Sequence, residues 1–158
     1  MLKTTWNTGS KDIIDFNDII EQIKIHCNYN GTVYIGTDSF FIKDNCIFST
    51  AICLYGADNQ QGGRYFYVKT KLNKNQFPEL SIRMIKEAES TITLANIIFE
   101  EVKGVKLELH LDISPQESKE GTSHLANMLI GYVKGSGYEC KVKPYAFAAA
   151  SIADKHSK

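Results

Sequence analysis

The chain has 158 residues, of which 43% are hydrophobic and 23% are charged, as in an ordinary globular domain with a real core. Lys and Arg together number 18, as do Asp and Glu, so the net charge is zero and bulk charge cannot be what holds the chain on nucleic acid or on a membrane. A local basic patch or bound metal ions could still do so.

The first half of the chain predicts one helix followed by three strands. Apolar residues recur at helical spacing in SKDIIDFNDIIEQIKIHCN, which predicts an amphipathic helix with Ser10 or Asp12 as its N-cap. The segments TVYIGTDSFFI, CIFSTAICLYG and RYFYVKTKL are rich in β-branched and aromatic residues and are separated by turn sequences. We therefore expect an N-terminal helical extension, residues 1–28, and then an antiparallel three-stranded meander.

The second half of the chain alternates between helix and strand patterns. LSIRMIKEAESTITLANIIFEEVKG predicts a long helix ended by Gly104, and SHLANMLIGYVKGSG predicts a helix capped at Ser123. VKLELHLDI and YECKVKPYAF predict a fourth and a fifth strand, and AAASIADKHSK predicts a final helical turn or two. The order is a helix and then β-β-β-α-β-α-β-α. It predicts one α/β domain over residues 1–158, with a five-stranded mixed sheet and helices on both faces.

The cysteines and the apolar runs exclude further classes of protein. The four cysteines form no C-x-x-C pair, and no His lies at zinc-finger spacing from a Cys pair, so we expect reduced, packed thiols in a cytoplasmic protein. No apolar run approaches the roughly 20 residues that a membrane span needs. The loop GADNQQGG lacks the Gly-Lys-Ser/Thr ending of a P-loop, so nucleotide hydrolysis of that kind is not expected.

Acidic residues occur at unusual places in these elements. Asp38 lies inside an apolar strand, where desolvation disfavours a charged carboxylate. Asp112 ends the fourth strand, Glu87 and Glu89 lie in the long helix, and Asp154 lies in the closing helix. If the first and fourth strands are neighbours, Asp38 and Asp112 can meet near one end of the sheet. Converging carboxylates repel one another and need a cation, and hard oxygen ligands suit Mg²⁺ or Mn²⁺.

Each of these acids also has a plainer explanation. Asp38 could begin a turn or accept hydrogen bonds from nearby backbone amides, and Asp112 could cap a loop. Glu87 and Glu89 could belong to a solvated helix face, and Asp154 could be a surface charge or a favourable charge near a helix N-terminus. The residues alone leave both explanations open.

Five segments occur in an order that resembles the YkuK-like family, a branch of the ribonuclease H-like superfamily. They are YIGTDSF, RMIKE, ELHLDIS, GYVKGSGYECKVKP and AAASIADKHSK, and the resemblance covers nearly the whole chain. The order of strands and helices predicted above is also the ribonuclease H order. The resemblance implies a nuclease that hydrolyses phosphodiester bonds in RNA or DNA with two Mg²⁺ or Mn²⁺ ions, and nucleic acid as the partner.

The resemblance also implies which acids are catalytic and bind metal. Asp38 matches the acid of the first strand, Asp112 the acid at the end of the fourth strand, and Asp154 the acid of the last helix. The helix acid is Glu87 or Glu89, and Glu87 is preferred because it follows RMIK.

Other polar and aromatic residues are candidates for supporting roles. His110, on the same face of its strand as Asp112, could orient a carboxylate, bind metal or be a satisfied core residue. His156 could assist proton transfer or be a surface residue. The hydroxyls of Thr37 and Ser39 could bind a phosphate or a metal-bound water, or bond to the backbone. A basic rim and a stacking surface could contact nucleic acid: Lys119, Lys141, Lys143, Lys155 and Lys158, and Tyr65, Phe66 and Tyr67.

Two other functions stay open. The chain could be a nucleic-acid- or protein-binding domain that retains the fold without hydrolysis, which the zero net charge favours. It could also be a module that binds a partner through the N-terminal amphipathic helix.

Overall fold

The structure is a computed structural model and describes residues 4–113 and 122–157. Its strands are β1 (Thr5–Thr8), β2 (Ile13–Asp15), β3 (Thr32–Ile42), β4 (Asn45–Tyr55), β5 (Arg64–Asn73), β6 (Leu107–His110) and β7 (Glu139–Lys141). Its helices are α1 (Phe16–Asn28), α2 (Leu80–Glu101), α3 (Thr122–Gly135) and α4 (Asp154–Ser157), with a 3₁₀ turn at Lys74–Gln76 and a π-helical turn at Ala148–Ala153. The π-helical turn runs directly into α4, and we call residues 147–157 the C-terminal segment.

The strands form one mixed sheet in the order β2-β1-β5-β4-β3-β6-β7. β3, β4 and β5 are the predicted antiparallel meander, with bounds within one residue of the predicted ones. β6 runs parallel to β3 and β7 runs parallel to β6. The helices α2 and α3 therefore act as crossovers between parallel strands, as the alternating pattern of the second half predicts.

The two faces of the sheet are covered differently. Alternate residues of β4 point to opposite faces, and Ile52 and Leu54 pack into the main core with α1, α2 and α3. Ala51 and Cys53 point to the other face, where the C-terminal segment packs through Ala148. Helical structure on both faces agrees with the prediction.

The predicted five-stranded sheet is wrong, because the described residues form seven strands. Ile13 and Ile14, which the helical pattern included, belong to β2, and β1 and β2 form a hairpin that extends the sheet beyond β5. α1 begins only at Phe16, and Asp15 is its N-cap, where Oδ2 accepts a hydrogen bond from the backbone N–H of Asn17 at 2.9 Å. Pairing of a three-residue strand depends on partners distant in sequence, which local spacing does not reveal.

The apolar side of α1 is part of the main core. Ile19 and Ile23 are inaccessible to solvent, and Phe16 contacts the ring of Trp6 with centroids 5.8 Å apart. This side of α1 is therefore not available to a partner protein. None of the helices in residues 4–113 and 122–157 has the length and apolar character needed to cross a bilayer. That residues 1–158 form a single domain stays a prediction.

Candidate metal centre

The pairing of β3 with β6 brings two of the predicted acids together. The parallel register matches Val33 with Leu107 and Gly36 with His110. Continued by two residues, the same register sets Asp112, which follows β6, beside Asp38 in the middle of β3. The negative charge of Asp112 raises the pKa of Asp38, as expected for neighbouring carboxylates.

The C-terminal segment brings Asp154 to the same place. It lies so close to β3 that a Cβ atom on Gly36 would stand 2.4 Å from the backbone nitrogen of Ala149. A glycine inside a strand often indicates that another backbone approaches closely. Gly36 allows the C-terminal segment to approach β3, and it was not among the residues predicted from the sequence. The side chain of Asp154 is hydrogen-bonded to that of Asp38. Two carboxyl groups can share a hydrogen bond only if one of them carries a proton.

Helix α2 brings Glu87, and not Glu89, to the acids. Glu87 Oε2 accepts a hydrogen bond from Ser39 Oγ, and the charges of Asp38 and Asp112 both act on it. Glu89 is exposed and pairs with Lys86, with Nζ 3.5 Å from Oε1. Residues two positions apart in a helix are rotated by about 200° relative to each other, so Glu87 and Glu89 cannot both face the sheet.

Burial and mutual repulsion keep protons on the crowded carboxylates. Desolvation raises the pKa of Asp38 to about 7, with further contributions from the hydrogen bond to Asp154 and the charge of Asp112. Desolvation also raises the pKa of Glu87 to about 8; the hydrogen bond from Ser39 opposes this shift, and the charge of Asp38 adds to it. Near neutral pH these carboxyl groups therefore stay partly protonated.

Two buried oxygen atoms beside Asp38 show how a cation would fit. Asp112 Oδ1 is buried and forms an ion pair with Lys143, whose Nζ lies 3.0 Å away. Ser49, which is opposite Asp38 in the β3–β4 pairing, also has a buried Oγ, and this atom makes no hydrogen bond within residues 4–113 and 122–157. Buried oxygen atoms and concentrated negative charge are the donor chemistry that hard divalent cations prefer.

The acids are close together without being arranged as ligands. Within the part of the chain that is described, no three His, Cys, Asp or Glu side chains are positioned to hold a metal ion. Instead, Asp38 bonds to Asp154, Glu87 accepts from Ser39, and Asp112 faces Lys143. The residues fit a cation in chemistry and charge, and side-chain rotations would have to bring them into coordination geometry.

His110 supports the C-terminal segment and not the carboxylates. It is fully buried, and its Nδ1 accepts a hydrogen bond from the backbone N–H of Ala148 at 3.0 Å. That acceptor role leaves the proton on Nε2, which donates to Glu108 Oε1 at 2.9 Å, and burial lowers the pKa of His110. His110 thereby caps the start of the π-helical turn that leads to Asp154.

The other supporting candidates have partners inside the protein. His156 stacks on Tyr67 at 3.7 Å between ring centroids, and its Nε2 is 2.9 Å from Tyr65 Oη, so these tyrosines hold α4. Thr37 is hydrogen-bonded to the hydroxyls of Thr50 and Thr91, at 3.0 and 2.8 Å, which ties β3 to β4 and α2. Lys119 and Lys158 lie outside the described residues.

The stability of the metal-free protein should fall as pH rises. In the unfolded chain Asp38 and Glu87 lose their protons near their ordinary pKa values of 3.8 and 4.5, whereas in the folded chain their pKa values are about 7 and about 8. The folded state therefore binds more protons in this window, and each group lowers the unfolding free energy by at most about 1.4 kcal/mol per pH unit. Urea unfolding in EDTA at several pH values checks this. Stability that rises over the window would contradict it.

A match to a known protein family includes all four acids. A protein-family model described as Ribonuclease H-like matches residues 15–158, from the N-cap of α1 to the end of the chain. No curated protein sequence matches the chain. The family match agrees with the mixed sheet, with β6 parallel to β3 beside the antiparallel meander.

Proposed function

Because this chain belongs to the ribonuclease H-like family, we propose that it is a metal-dependent nuclease that hydrolyses phosphodiester bonds in RNA or DNA. The acids that hold Mg²⁺ or Mn²⁺ are Asp38, Glu87, Asp112 and Asp154. One observation carries the proposal: carboxylates from β3, α2, the end of β6 and the C-terminal segment interact electrostatically at one place. Carboxylates that perturb one another's pKa values are typical of functional sites, and a divalent cation would relieve their repulsion.

Each side chain has a defined part in this proposal. When bound, two ions supply Lewis-acid activation of water and neutralise charge on the leaving oxygen. Asp38 and Asp154 would release the proton they share to solvent and would then hold the ions through their oxygens. Ser39 fixes the orientation of Glu87 through its hydrogen bond. Lys143, whose side chain is 48% exposed, has room to leave Asp112 and contact a substrate phosphate.

We place this activity in the cytoplasm. All four cysteines are free thiols, and Cys46 and Cys53 are buried in the protein interior. Burial raises the pKa of Cys53 to about 12, so this thiol is an unreactive packing group. Unpaired, packed cysteines are typical of proteins that work in a reducing compartment.

The two glutamates of α2 offer a matched test. Glu87→Gln should lower the rate of Mn²⁺-dependent cleavage by about 100-fold or more, because the loss of one carboxylate ligand costs several kcal/mol of charge stabilisation. Glu89→Gln makes the same chemical change on the exposed side of the same helix and should leave the rate within about twofold, as surface substitutions usually do. The measurement is cleavage of labelled single-stranded and duplex RNA and DNA in Mn²⁺.

A second candidate is a binding domain that keeps the fold without hydrolysis. The ion pair between Lys143 and Asp112 favours it, because this pair neutralises one acid without any metal. If the purified protein cleaves no nucleic acid and Mn²⁺ leaves its unfolding temperature unchanged, the binding domain replaces the nuclease. If Glu87→Gln and Glu89→Gln were equally active, Glu87 would not be a ligand of the metal centre.

A further inference from the structure

The sheet face that carries Asp38 continues beyond the C-terminal segment. Directly paired residues of antiparallel strands share a face, so Asp38, Ser49 and Lys69 form one row across β3, β4 and β5. Two residues further on, Phe40, Ile47 and Lys71 form a second row on the same face. We call the exposed side chains of these two rows, Phe40, Lys69 and Lys71, the open sheet face.

The C-terminal segment reaches the first row, where Asp154 is hydrogen-bonded to Asp38, and Asp38 and Ser49 are buried. The preceding row is Gly36, Ala51 and Tyr67, and each of these contacts the segment: Gly36 at Ala149, Ala51 in its apolar cluster, and Tyr67 under His156. In the two rows beyond it, Phe40 is 37% exposed, and Lys69 and Lys71 are exposed.

The open sheet face combines the two groups that bind an unpaired nucleic-acid strand. Lys69 and Lys71 are two residues apart on one strand, so they are about 7 Å apart along the sheet and can contact successive phosphates. Phe40 lies across two strand spacings from them, about 10 Å away, which is within reach of a base whose phosphate is at a lysine. An exposed aromatic ring stacks on a base only if that base is unpaired.

We propose that the open sheet face binds a single-stranded segment of the nucleic-acid substrate, with its phosphates at Lys69 and Lys71 and a base on Phe40. The inference rests on the proposed nuclease function only for the position of the scissile phosphate, at Asp38 in the first row and the carboxylates around it. A duplex hides its base faces in the stack and cannot use Phe40. The specificity is therefore for single strands, or for single-stranded regions next to a duplex.

Binding measured without metal tests this inference separately from cleavage. The probes are labelled RNA and DNA oligonucleotides of about 15 nucleotides, single-stranded and as duplexes, titrated in EDTA and followed by fluorescence anisotropy. The wild-type protein should bind single strands at least tenfold more tightly than duplexes. The double substitution Lys69→Ala/Lys71→Ala should weaken single-strand binding and make the slope of log affinity against log salt shallower by about 1.4, for two lost phosphate contacts.

Matched controls lie elsewhere on the protein. Lys103→Ala/Lys106→Ala removes two exposed lysines near the opposite end of β3 and should leave the affinity and the salt slope unchanged. Phe40→Ala should weaken single-strand binding about tenfold, whereas Phe99→Ala, at a ring that is 59% exposed on α2, should not.

The outcomes separate the two proposals. If the protein cleaves nucleic acid in Mn²⁺ but the open-face variants bind like their controls, the inference is overturned and the nuclease stands. Duplex binding as tight as single-strand binding also overturns the inference. If the open-face variants lose single-strand affinity while the wild-type protein never cleaves, the inference is supported and the nuclease fails.

Discussion

Asp38→Asn should abolish metal-dependent cleavage and, at the same time, stabilise the metal-free protein above neutral pH. Asp38 is the acid that interacts with the other members of the centre, through its hydrogen bond to Asp154 and the charges of Asp112 and Glu87. Removal of this ligand should lower the cleavage rate by about 1,000-fold or more, the equivalent of about 4 kcal/mol of charge stabilisation. In the metal-free state the same change removes the repulsion and the desolvation penalty that raise the pKa of Asp38.

Asp38→Asn should thus lower the rate of cleavage while it raises the stability of the metal-free protein. Urea unfolding in EDTA at about pH 8 should give a higher unfolding free energy for Asp38→Asn than for the wild type, because the wild-type carboxyl group must be ionised there at a cost. Addition of Mn²⁺ should raise the unfolding temperature of the wild type and leave that of Asp38→Asn nearly unchanged. If Asp38→Asn did not cleave and also had a lower unfolding free energy than the wild type, the result would indicate a structural role for Asp38.

A suitable control for Asp38→Asn lies on the same hairpin. Asp44 is exposed in the turn between β3 and β4, and Asp44→Asn makes the same chemical change outside the centre. We expect it to leave cleavage and the response to Mn²⁺ unaltered. An equal loss of cleavage in both variants would assign the effect to general charge and not to the metal centre.

Gly36→Ala should separate the C-terminal segment from β3 and so displace Asp154. The new Cβ would lie 2.4 Å from Ala149 N and 2.8 Å from Ala148 C, and these are backbone atoms that cannot rotate away. Forcing one extra methyl group into a packed interface costs about 1–3 kcal/mol. Cleavage should fall by more than the change in stability suggests, because the displaced segment carries one of the four acids.

Gly131→Ala is the control for Gly36→Ala. Gly131 lies inside α3, and a Cβ there meets no atom within 4 Å. Since alanine favours the helix, this variant should be more stable by about 0.5–1 kcal/mol and fully active. Urea unfolding gives the stabilities, and hydrogen exchange of residues 147–157 reports whether the segment is released. If residues 147–157 of Gly36→Ala exchanged their amide hydrogens at the wild-type rate, this would contradict the expected displacement.

The elements with a strong local pattern were predictable, and those that depend on distant partners were not. β3, β4 and β5 have long runs of β-branched and aromatic residues, and their predicted bounds agree with the structure to within one residue. β1 and β2 are four and three residues long and exist because they pair with each other and with β5. Short strands gain stability from cross-strand contacts, which a local pattern does not encode.

The candidate site divides in the same way. The sequence by itself identified Asp38 as an acid in a strand due for burial, and it placed Asp112 at the end of a strand that could be a neighbour. Only the tertiary structure shows that Glu87, and not Glu89, lies near the other acids, because this depends on how α2 is rotated over the sheet. It also assigned Lys143 to Asp112, and it left Phe40, Lys69 and Lys71 uncovered beside Asp38. The chemical type of each residue is given by the sequence, whereas these contacts arise only when elements that are distant in the chain pack against one another.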